Sequence, residues 1–464
     1  MIKGTLLIKN GRIVNSKREF TSSILIKDGK IVALLKDANN CEVKKIIDAM
    51  GRYIIPGAVD THTHMMDPGY TEREDFITGT KAAAYGGITT IVTHHRTIPP
   101  VYSIKELNEK ISYLSEKSVV DFGLKGGCSP TNNDKLKDMW ERGVTGFKMF
   151  TCDLHGVKAM YPGFLYNTFR EIASLGAIAL IHCEDNSILL VNEEKLKKEG
   201  RKDYLSQIEW RSALAEKIAV ETVISIAKET GVRVTIAHVS QPTLLKKIKE
   251  ARDEGFSIFA ETCPQYLYLT IDDLAKKGPW VKFTPPMKTR DDVDKMWDLF
   301  NNGYVSIISS DHCPHQKKVK KQGEKNIWNA PNGIPGVETS LRLMLNAVNN
   351  GKTNLNRVVE TMCENPAKIY GLYPKKGVIE IGADADIVIL DMDKEEILSN
   401  NKVVSKCKWT PYDGFKIKGI PDIVIVRGQI VVSDGKVVGK PGMGQFVPRQ
   451  NIFDNNKFVR YNFI

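Results

Sequence analysis

The sequence has no uninterrupted apolar run of the roughly 18 residues that a membrane-spanning helix needs. Its first 20 residues, MIKGTLLIKNGRIVNSKREF, are broken by charges where a secretory signal peptide would be apolar. Its eight cysteines are scattered along 464 residues, without a CxxC pair or the close spacing of a disulfide framework. These absences argue against a membrane-spanning or disulfide-rich secreted protein, and we expect a soluble protein of the cytoplasm.

The positive net charge of +11 could suit an acidic partner or a nucleic acid. However, lysines alternate with acids in amphipathic stretches such as SIKELNEKISYLSEK, residues 103–117. This pattern is typical of a solvated helix face. We therefore expect neither a nucleic acid nor a membrane as a partner.

Both ends of the chain carry short runs of alternating polar and apolar residues. Residues 1–52 contain two such runs, each centred on a polar residue followed by glycine, which is typical of a two-residue hairpin turn. These pairs are Asn10-Gly11 and Asp28-Gly29. Similar runs, ADADIVILD and PDIVIVRGQIVVSDGKVV, return within residues 375–440. We predict one small β-sandwich domain assembled from both chain ends, with residues 441–464 as a tail.

The middle of the chain, residues 53–374, has a different pattern. Apolar runs rich in β-branched residues are separated by longer segments of helical periodicity, among them residues 74–87, 167–176, 212–231 and 243–255. The strand candidates are YIIPGAVD (53–60), ITTIVT (88–93), SVVDFGL (118–124), VTGFKMF (144–150), AIALIH (177–182), RVTIAH (233–238), FSIFAE (256–261) and VSIISSD (305–311). Strands that alternate with helices in this way predict an α/β fold, a (β/α)8 TIM barrel whose C-terminal strand ends share one face.

Side chains that can bind metal occupy the C-terminal ends of these strands. They are His62 and His64 on the first strand, Lys148 on the fourth, His182 on the fifth, His238 on the sixth and Asp311 on the eighth. Side chains two apart on a strand point the same way, so His62 and His64 can chelate one ion. One strand-end histidine is commonly an ordinary polar residue, but four with an aspartate on one rim predict a centre for zinc or a similar metal.

Lys148 leaves two interpretations open. An ammonium would be repelled by a cationic site, so Lys148 could point away or pair with an acid such as Asp185. Alternatively, burial could favour the neutral amine, which reacts with carbon dioxide to form a carbamate, N6-carboxylysine. Such a carbamate would bridge two ions roughly 3.5–4 Å apart.

Several motifs, in this order, resemble those of the cyclic amidohydrolases: hydantoinases, dihydropyrimidinases, allantoinases and dihydroorotases. The core motifs are DTHTH (60–64), GFKMF (146–150), IHCED (181–185), AHVS (237–240) and SSDHCPH (309–315). Further motifs are GTKAAAYGGITT (79–90), TCPQYLYLT (262–270), NGIPGVETSL (332–341), CENPAKIYGLYPKKG (363–377), GADADIVILD (382–391) and PGMGQFV (441–447). The resemblance covers nearly the whole chain and is strongest to L-hydantoinase-type and allantoinase-type members.

The resemblance implies an enzyme that hydrolyses a C–N bond of a cyclic amide with two divalent metal ions. Zinc is the expected metal, with manganese, cobalt and iron as alternatives. One ion would be bound by His62, His64, Lys148 and Asp311, and the other by carboxylated Lys148, His182 and His238. A metal-bridging hydroxide would attack the ring carbonyl, and Asp311 would pass its proton to the leaving nitrogen. Main-chain groups of Thr284 and Asn332 would hold the amide edge of the ring.

Three departures from the family patterns bear on the substrate. Dihydroorotases carry an arginine two residues after the histidine pair, where this chain has Met66. Dihydropyrimidinases and D-hydantoinases carry a tyrosine five residues after the lysine, where this chain has Asp153. After the second strand the family usually shows a Met-Pro pair and a polar residue, whereas this chain has His94, His95 and Arg96. Arg96 could hold a carboxylate or ureido oxygen or belong to a solvated loop, and either histidine could add a metal ligand.

The leading hypothesis is a hydantoinase-type hydrolase acting on a five-membered cyclic ureide. Allantoinase is the next alternative, followed by dihydropyrimidinase and dihydroorotase. A catalytically inactive dihydropyrimidinase-like scaffold is disfavoured because every ligand position is filled, and a single-metal deaminase is disfavoured by the lysine on the fourth strand. We expect a homodimer or homotetramer, in which the tail, with five aromatics in its last 20 residues, could contact a neighbour.

Overall fold

The computed structural model describes residues 2–39, 41–154 and 156–450. Its strands are β1 (Ile2–Val14), β2 (Glu19–Lys27), β3 (Lys30–Leu35), β4 (Cys41–Asp48), β5 (Tyr53–Pro56), β6 (Ala58–Thr63), β7 (Ile88–Thr93), β8 (Asp121–Leu124), β9 (Gly126–Gly127), β10 (Phe147–Phe150), β11 (Ile178–His182), β12 (Arg233–Ile236), β13 (Ile258–Thr262), β14 (Ile307–Ile308), β15 (Ile387–Ile397), β16 (Lys416–Val426), β17 (Gln429–Ser433) and β18 (Lys436–Val437).

Helices occupy most of the segments between the strands from β6 onward. They are α1 (Phe76–Tyr85), α2 (Ile104–Ser115), α3 (Leu136–Arg142), α4 (Pro162–Ser174), α5 (Asn186–Lys198), α6 (Ser206–Trp210), α7 (Ala213–Thr230), α8 (Pro242–Asp253), α9 (Pro264–Tyr268), α10 (Ile271–Lys277), α11 (Arg290–Asn301), α12 (Lys317–Lys321), α13 (Ser340–Asn349), α14 (Leu355–Val359) and α15 (Asn365–Ile369). Their ends follow the local sequence: Ser212, for example, caps α7 through the main-chain N–H of Ala215, and Gly231 ends it with φ 69°. No helix in the described ranges is long and apolar enough to cross a membrane.

The two ends of the chain meet in one nine-stranded sheet, here called the terminal sheet. Its strand order is β18-β17-β16-β15-β5-β1-β2-β3, with β4 also paired to β1. Because β5 pairs with β1 on one side and β15 on the other, the N-terminal and C-terminal strands become neighbours. Side chains from both ends, such as Ile8, Ile24, Ile387 and Ile425, share one buried core. This confirms the predicted β-domain built from both chain ends.

One of the two predicted hairpin turns is wrong. β1 continues through Asn10-Gly11, where the register with β2 shifts and Asn10 adopts φ 58°. The pair therefore forms a bulge, since a polar residue and glycine suit a bulge as well as a turn. A Cβ at position 11 would lie 2.1 Å from Cδ1 of Ile54, so a larger residue there would have to displace the Ile54 side chain. The Asp28-Gly29 turn forms as predicted, between β2 and β3.

Parallel strands β6 to β14 form the barrel. β6, β7 and β8 pair in one sheet, and β9 to β14 pair in the next. The two sheets are connected by β8 and β9, which are consecutive in the chain: β8 pairs with β7, and β9 pairs with β10. The other seam is closed by a parallel bridge between Thr63 and His312 and by the His64 N–H, which donates to the His312 carbonyl at 2.8 Å. The predicted (β/α)8 barrel is therefore confirmed.

The first predicted strand, residues 53–60, is in fact divided between the two sheets. β5 belongs to the terminal sheet, and β6 begins the barrel after Gly57. A Cβ at Gly57 would lie 2.0 Å from Oγ1 of Thr89, so only glycine allows this close passage. An apolar run does not show which sheet its residues join, and the pairing partners decide. The division into residues 1–52, 53–374 and 375–440 remains a proposal.

The described part of the tail packs on the barrel of its own chain. The Phe122 N–H donates to the Gln445 carbonyl at 2.9 Å, and the Val447 N–H donates to the Phe122 carbonyl at 2.8 Å. The rest of the tail, for which a contact with a neighbour remains predicted, is residues 451–464, and these lie outside the described residues.

A buried cluster of charges joins the barrel to the terminal sheet. Nζ of Lys376 lies 2.5 Å from Asp121 in β8, 2.9 Å from Asp384 and 2.7 Å from Asp386. Burial alone lowers the pKa of Lys376, but the charges of Asp386, Asp121 and Asp384 outweigh it and raise the pKa. Lys376 is therefore the fully buried cation shared by the three carboxylates, while Arg427 also pairs with Asp121 at 3.0 Å.

We predict that Lys376→Met lowers the free energy of unfolding by about 3–5 kcal/mol, because it removes the cation shared by three buried carboxylates and leaves Asp386 without an ion-pair partner among the described residues. Lys30→Met is the matched control: Lys30 also pairs with Asp384, at 2.6 Å, but its side chain is 44% exposed. The control should lose less than about 1 kcal/mol. Urea unfolding followed by circular dichroism measures both values, and equal losses would contradict the prediction.

Candidate metal centre

Six side chains converge at the C-terminal rim of the barrel, and they are here called the rim residues. They are His62, His64, Lys148, His182, His238 and Asp311. One cavity is lined by all six together with Phe150, Leu154, Thr284, Cys313, Asn332 and Gly333. The histidines and Lys148 are buried, and the side chain of Asp311 is 14% exposed. The structure thus brings together every strand-end residue selected from the sequence.

Asp311 faces both histidines of the first barrel strand. Its Oδ1 lies 3.1 Å from Nε2 of His62 and 3.3 Å from Nε2 of His64. The other ring nitrogen of His62, Nδ1, lies 2.5 Å from Oε1 of Glu261. This contact favours a proton on Nδ1, which directs the lone pair of Nε2 towards Asp311. A lone pair and a carboxylate oxygen repel each other unless a cation or proton lies between them, so these donors fit a metal ion.

His182 and His238 form the second pair. Nδ1 of His182 lies 3.0 Å from Nε2 of His238, and Nε2 of His182 lies 2.7 Å from Oε2 of Glu184. Glu184 therefore favours the tautomer with the proton on Nε2 and directs the Nδ1 lone pair towards His238. A histidine whose second nitrogen is held by a carboxylate is the usual arrangement in metal sites.

Burial keeps these imidazoles neutral. The pKa values of His62, His64 and His238 lie well below the ordinary value because burial disfavours the imidazolium, and Lys148 lowers them further. The neutral ring is the form that binds a metal ion. The fold therefore presents its histidines in a state ready for coordination.

Nζ of Lys148 is buried and has no hydrogen-bond partner among the described residues. Burial lowers the pKa of Lys148 to about 8, against the opposing charges of Glu261 and Asp311. The alternative pairing with Asp185 is not formed, because Asp185 accepts from the Ile188 N–H at 2.9 Å and caps α5. Nζ lies 5.0 Å from the Phe150 ring centroid, at the cavity. A buried amine without a partner fits the interpretation in which Lys148 is modified.

Two rim residues have unusual backbone conformations. His238 has φ 38° and Asp311 has φ 45°, in the left-handed region that non-glycine residues rarely adopt. His238 lies two residues after the end of β12, and Asp311 lies three residues after the end of β14. Such strain persists where the surrounding structure enforces it, and it is commonest at functional sites.

Thr284 and Asn332, the predicted substrate-binding residues, line the same cavity. The Thr284 hydroxyl donates to Glu184 at 2.7 Å and accepts from Arg211 at 2.9 Å. Oδ1 of Asn332 accepts from Gln207 at 3.2 Å. The side-chain oxygens of both residues are thus engaged with the protein, and the main-chain carbonyl of Asn332 lies 3.0 Å from Nε2 of His315.

The histidines after β7 differ in position. The ring centroid of His94 lies 4.4 Å from that of His62 and 4.6 Å from that of His64. The ring of His95 instead lies 5.3 Å from Tyr102 and 6.4 Å from Phe150. Only His94 therefore contacts the histidine pair of the first strand.

Arg96 is half-buried and is not among the residues that line the cavity. One of its Nη atoms is buried without a hydrogen-bond partner in the described part of the chain. Burial lowers its pKa, although the charge of Cys313, a cavity residue, opposes this. The position is at the border of the site and does not fit a solvated basic loop.

Three supporting residues, Glu184, Arg211 and Glu261, were not selected from the sequence. Arg211 donates from Nη1 to Glu184 in a fully buried ion pair. Burial alone would raise the pKa of Glu184, but Arg211, His182 and Thr284 outweigh it and lower the pKa to about 2. The sequence weakly indicated the two acids. Glu261 is the last residue of the seventh predicted strand, and Glu184 follows His182 by two residues. Nothing in the sequence indicated Arg211.

The chain belongs to the amidohydrolase family, whose model matches residues 53–431. The L-hydantoinase of Paenarthrobacter aurescens is 37% identical over 450 residues, covering 96% of this chain and 98% of that protein. The D-hydantoinase of Streptomyces coelicolor is 34% identical over 465 residues, covering 96% and 97%. The solved L-hydantoinase (dihydropyrimidinase) from Arthrobacter aurescens has a TM-score of 0.95 at 36% identity, covering 96% of this chain and all of that chain (100%). The resemblance drawn from the motifs is therefore confirmed.

We predict that Arg211→Met lowers the free energy of unfolding by about 3–5 kcal/mol, because Glu184 remains buried without its cation. Arg201→Met is the control: Arg201 also contacts two acids, Asp203 and Glu209, each at 2.7 Å, but at the surface. Its loss should stay below about 1 kcal/mol. Guanidinium unfolding monitored by fluorescence compares them, and a loss at Arg211 no larger than at Arg201 would refute the role of the buried pair.

Proposed function

We propose that the protein is a metal-dependent hydrolase that opens a hydantoin-like five-membered cyclic ureide by breaking a C–N bond. The observation that carries this proposal is the rim, where four histidines, Asp311 and a Lys148 amine without a hydrogen-bond partner among the described residues line one cavity. The similarity to an L-hydantoinase and a D-hydantoinase over 96% of the chain supports hydantoin as the ring.

The rim residues would hold two divalent ions, most simply zinc, with manganese, cobalt and iron as alternatives. The first set of ligands is His62, His64 and Asp311, the second is His182 and His238, and Lys148 would serve both as N6-carboxylysine. The ions would supply Lewis acidity at the ring carbonyl and activate water near neutral pH. The buried Nζ without a partner supports the carbamate, because carboxylation converts this amine into an anion with two ligand oxygens.

Asp311 is the proposed carrier of the proton. Its Oδ1 faces the two histidines of the first strand, which leaves Oδ2 for a proton. It would accept the proton of the attacking water and deliver it to the ring nitrogen as the C–N bond breaks. Burial raises the pKa of Asp311, which His62 and Lys148 oppose, and a raised pKa improves its ability to accept that proton. Thr284 and Asn332 would hold the amide edge of the ring.

Two positions distinguish this chain from dihydroorotases and from dihydropyrimidinases and D-hydantoinases. Position 66 is a fully buried methionine. It therefore offers no guanidinium for the carboxylate of dihydroorotate. Asp153 is 43% exposed and pairs with Lys158 at 3.0 Å, while its neighbour Leu154 lines the cavity. A tyrosine hydroxyl of the dihydropyrimidinase type is therefore missing from that position.

Allantoinase is the second candidate, and Arg96 is the observation that favours it. Allantoin carries a ureido substituent on the five-membered ring, and an unpaired guanidinium N–H at the border of the cavity could donate to its oxygen. An unsubstituted hydantoin has no acceptor beyond its two ring carbonyl oxygens.

We also propose a homodimer or homotetramer located in the cytoplasm, acting on a small molecule and binding neither nucleic acid nor membrane. The inactive-scaffold alternative is disfavoured because each rim position carries a residue able to bind metal.

We predict about two bound divalent ions per chain in protein purified with zinc and bicarbonate. Removal of metal by a chelator should abolish hydrolysis, and re-addition should restore it. Elemental analysis is combined with parallel assays on hydantoin, 5-substituted hydantoins, allantoin, dihydrouracil and dihydroorotate. Protein without metal after this supplementation would refute the proposal.

The control for this prediction is Asp311→Asn. The amide keeps an oxygen for the metal but cannot accept a proton, so kcat should fall by on the order of 100- to 10,000-fold with metal content retained.

We predict that Arg96→Met lowers kcat/KM for allantoin by on the order of 10- to 100-fold, because the ureido oxygen loses its donor. Turnover of unsubstituted hydantoin by the same variant is the internal control and should change less than about twofold. Equal losses on both substrates would show that Arg96 does not contact the ureido group.

A further inference from the structure

We propose that His94 is an additional imidazole ligand of the metal ion held by His62 and His64. The inference rests on the proposed two-metal function and concerns a residue outside the ligand set that the family resemblance implies. It gives one of the two ions three imidazoles in addition to Asp311.

The geometry carries the inference. One ligand nitrogen each of His62, His64 and His94 lies within 4.8 Å of the other two. Two nitrogens on one zinc ion are roughly 3.3–4.2 Å apart, given bonds of about 2.0–2.1 Å. A small side-chain rotation is therefore enough to bring all three nitrogens onto one ion.

The unsatisfied hydrogen-bonding groups of His94 also support a role as a metal ligand. Both ring nitrogens are buried and have no hydrogen-bond partner among the described residues. A buried polar group of this kind costs about 1–3 kcal/mol unless it is satisfied by something outside the chain. A metal ion between three imidazoles satisfies one nitrogen and leaves the other for water or substrate.

Burial without a partner does not by itself select His94, because His95 shares it. The two differ in their neighbours: His94 contacts both His62 and His64, whereas His95 packs against Tyr102. The imidazole of His95 forms no ligand group with His62 and His64 in the described part of the chain. His95 is therefore a control of the same residue type, burial and chain position.

An extra imidazole should alter metal preference. Imidazole ligands suit zinc, cobalt and nickel, whereas manganese prefers carboxylate and water. We expect His94 to favour zinc over manganese at this position, beyond the preference set by the other rim residues.

The experiment compares wild type, His94→Met and His95→Met, with folding verified by circular dichroism. Zinc and manganese affinities are measured by competition with a chromophoric chelator, and the cobalt-loaded proteins are examined by visible absorption. His94→Met should weaken the tighter-bound zinc by at least about 10-fold, reduce the preference over manganese and change the cobalt bands. His95→Met should match wild type.

Unchanged zinc affinity and cobalt bands in His94→Met would overturn the inference, as would equal changes in both variants. If His94→Met fails to fold, a crystal structure of zinc-loaded wild type decides. A His94 nitrogen about 2.0–2.1 Å from zinc supports the ligand, and one beyond about 3 Å overturns it. Wild type that binds no metal would instead refute the proposed function, so the two failures are distinguishable.

Discussion

Closure of the parallel strands into one barrel is the constraint on which the site depends. A single strand end presents one or two polar side chains, too few to hold an ion. The seam between Thr63 and His312, with the His64 N–H bonded to the His312 carbonyl, places the first and last strands side by side. Asp311 thereby reaches the histidines of β6. The terminal sheet supports this seam, because β5 is one of its strands and leads directly through Gly57 into β6.

Much of the fold could be predicted because buried parallel strands are nearly continuous apolar runs. The errors occurred where the outcome depends on pairing partners and not on local pattern. Tyr53–Pro56 is as apolar as the barrel strand that follows, yet it lies between β1 and β15. Asn10-Gly11 has the composition of a turn, but the close approach of Ile54 makes it a bulge within a longer strand.

The rim residues could be selected from the sequence because their position follows from where each strand ends. Glu261 and Arg211 could not, since their contacts join residues far apart in the sequence, and Glu184, two residues from His182, was only weakly indicated. An acid beside a buried histidine orients a ring nitrogen only if the chain brings them within hydrogen-bond distance, as between Glu261 and His62. The spacing of two residues in the sequence does not predict the distance between their side chains in the fold.

The site is marked by what the chain leaves unsatisfied. Among the described residues, the buried side-chain atoms without a hydrogen-bond partner include both ring nitrogens of His94, Nδ1 of His64 and Nζ of Lys148 at or beside the cavity, as well as atoms elsewhere such as the hydroxyl of Thr353. Each such atom costs about 1–3 kcal/mol, and natural proteins tolerate few of them. At the rim a ligand from outside the chain can supply these partners, and a ligand that binds only the folded form stabilises it by mass action. Beside the rim residues, Arg96 keeps a buried guanidinium nitrogen without a hydrogen-bond partner in the described part of the chain, and a substrate group that binds there would find a donor already in place.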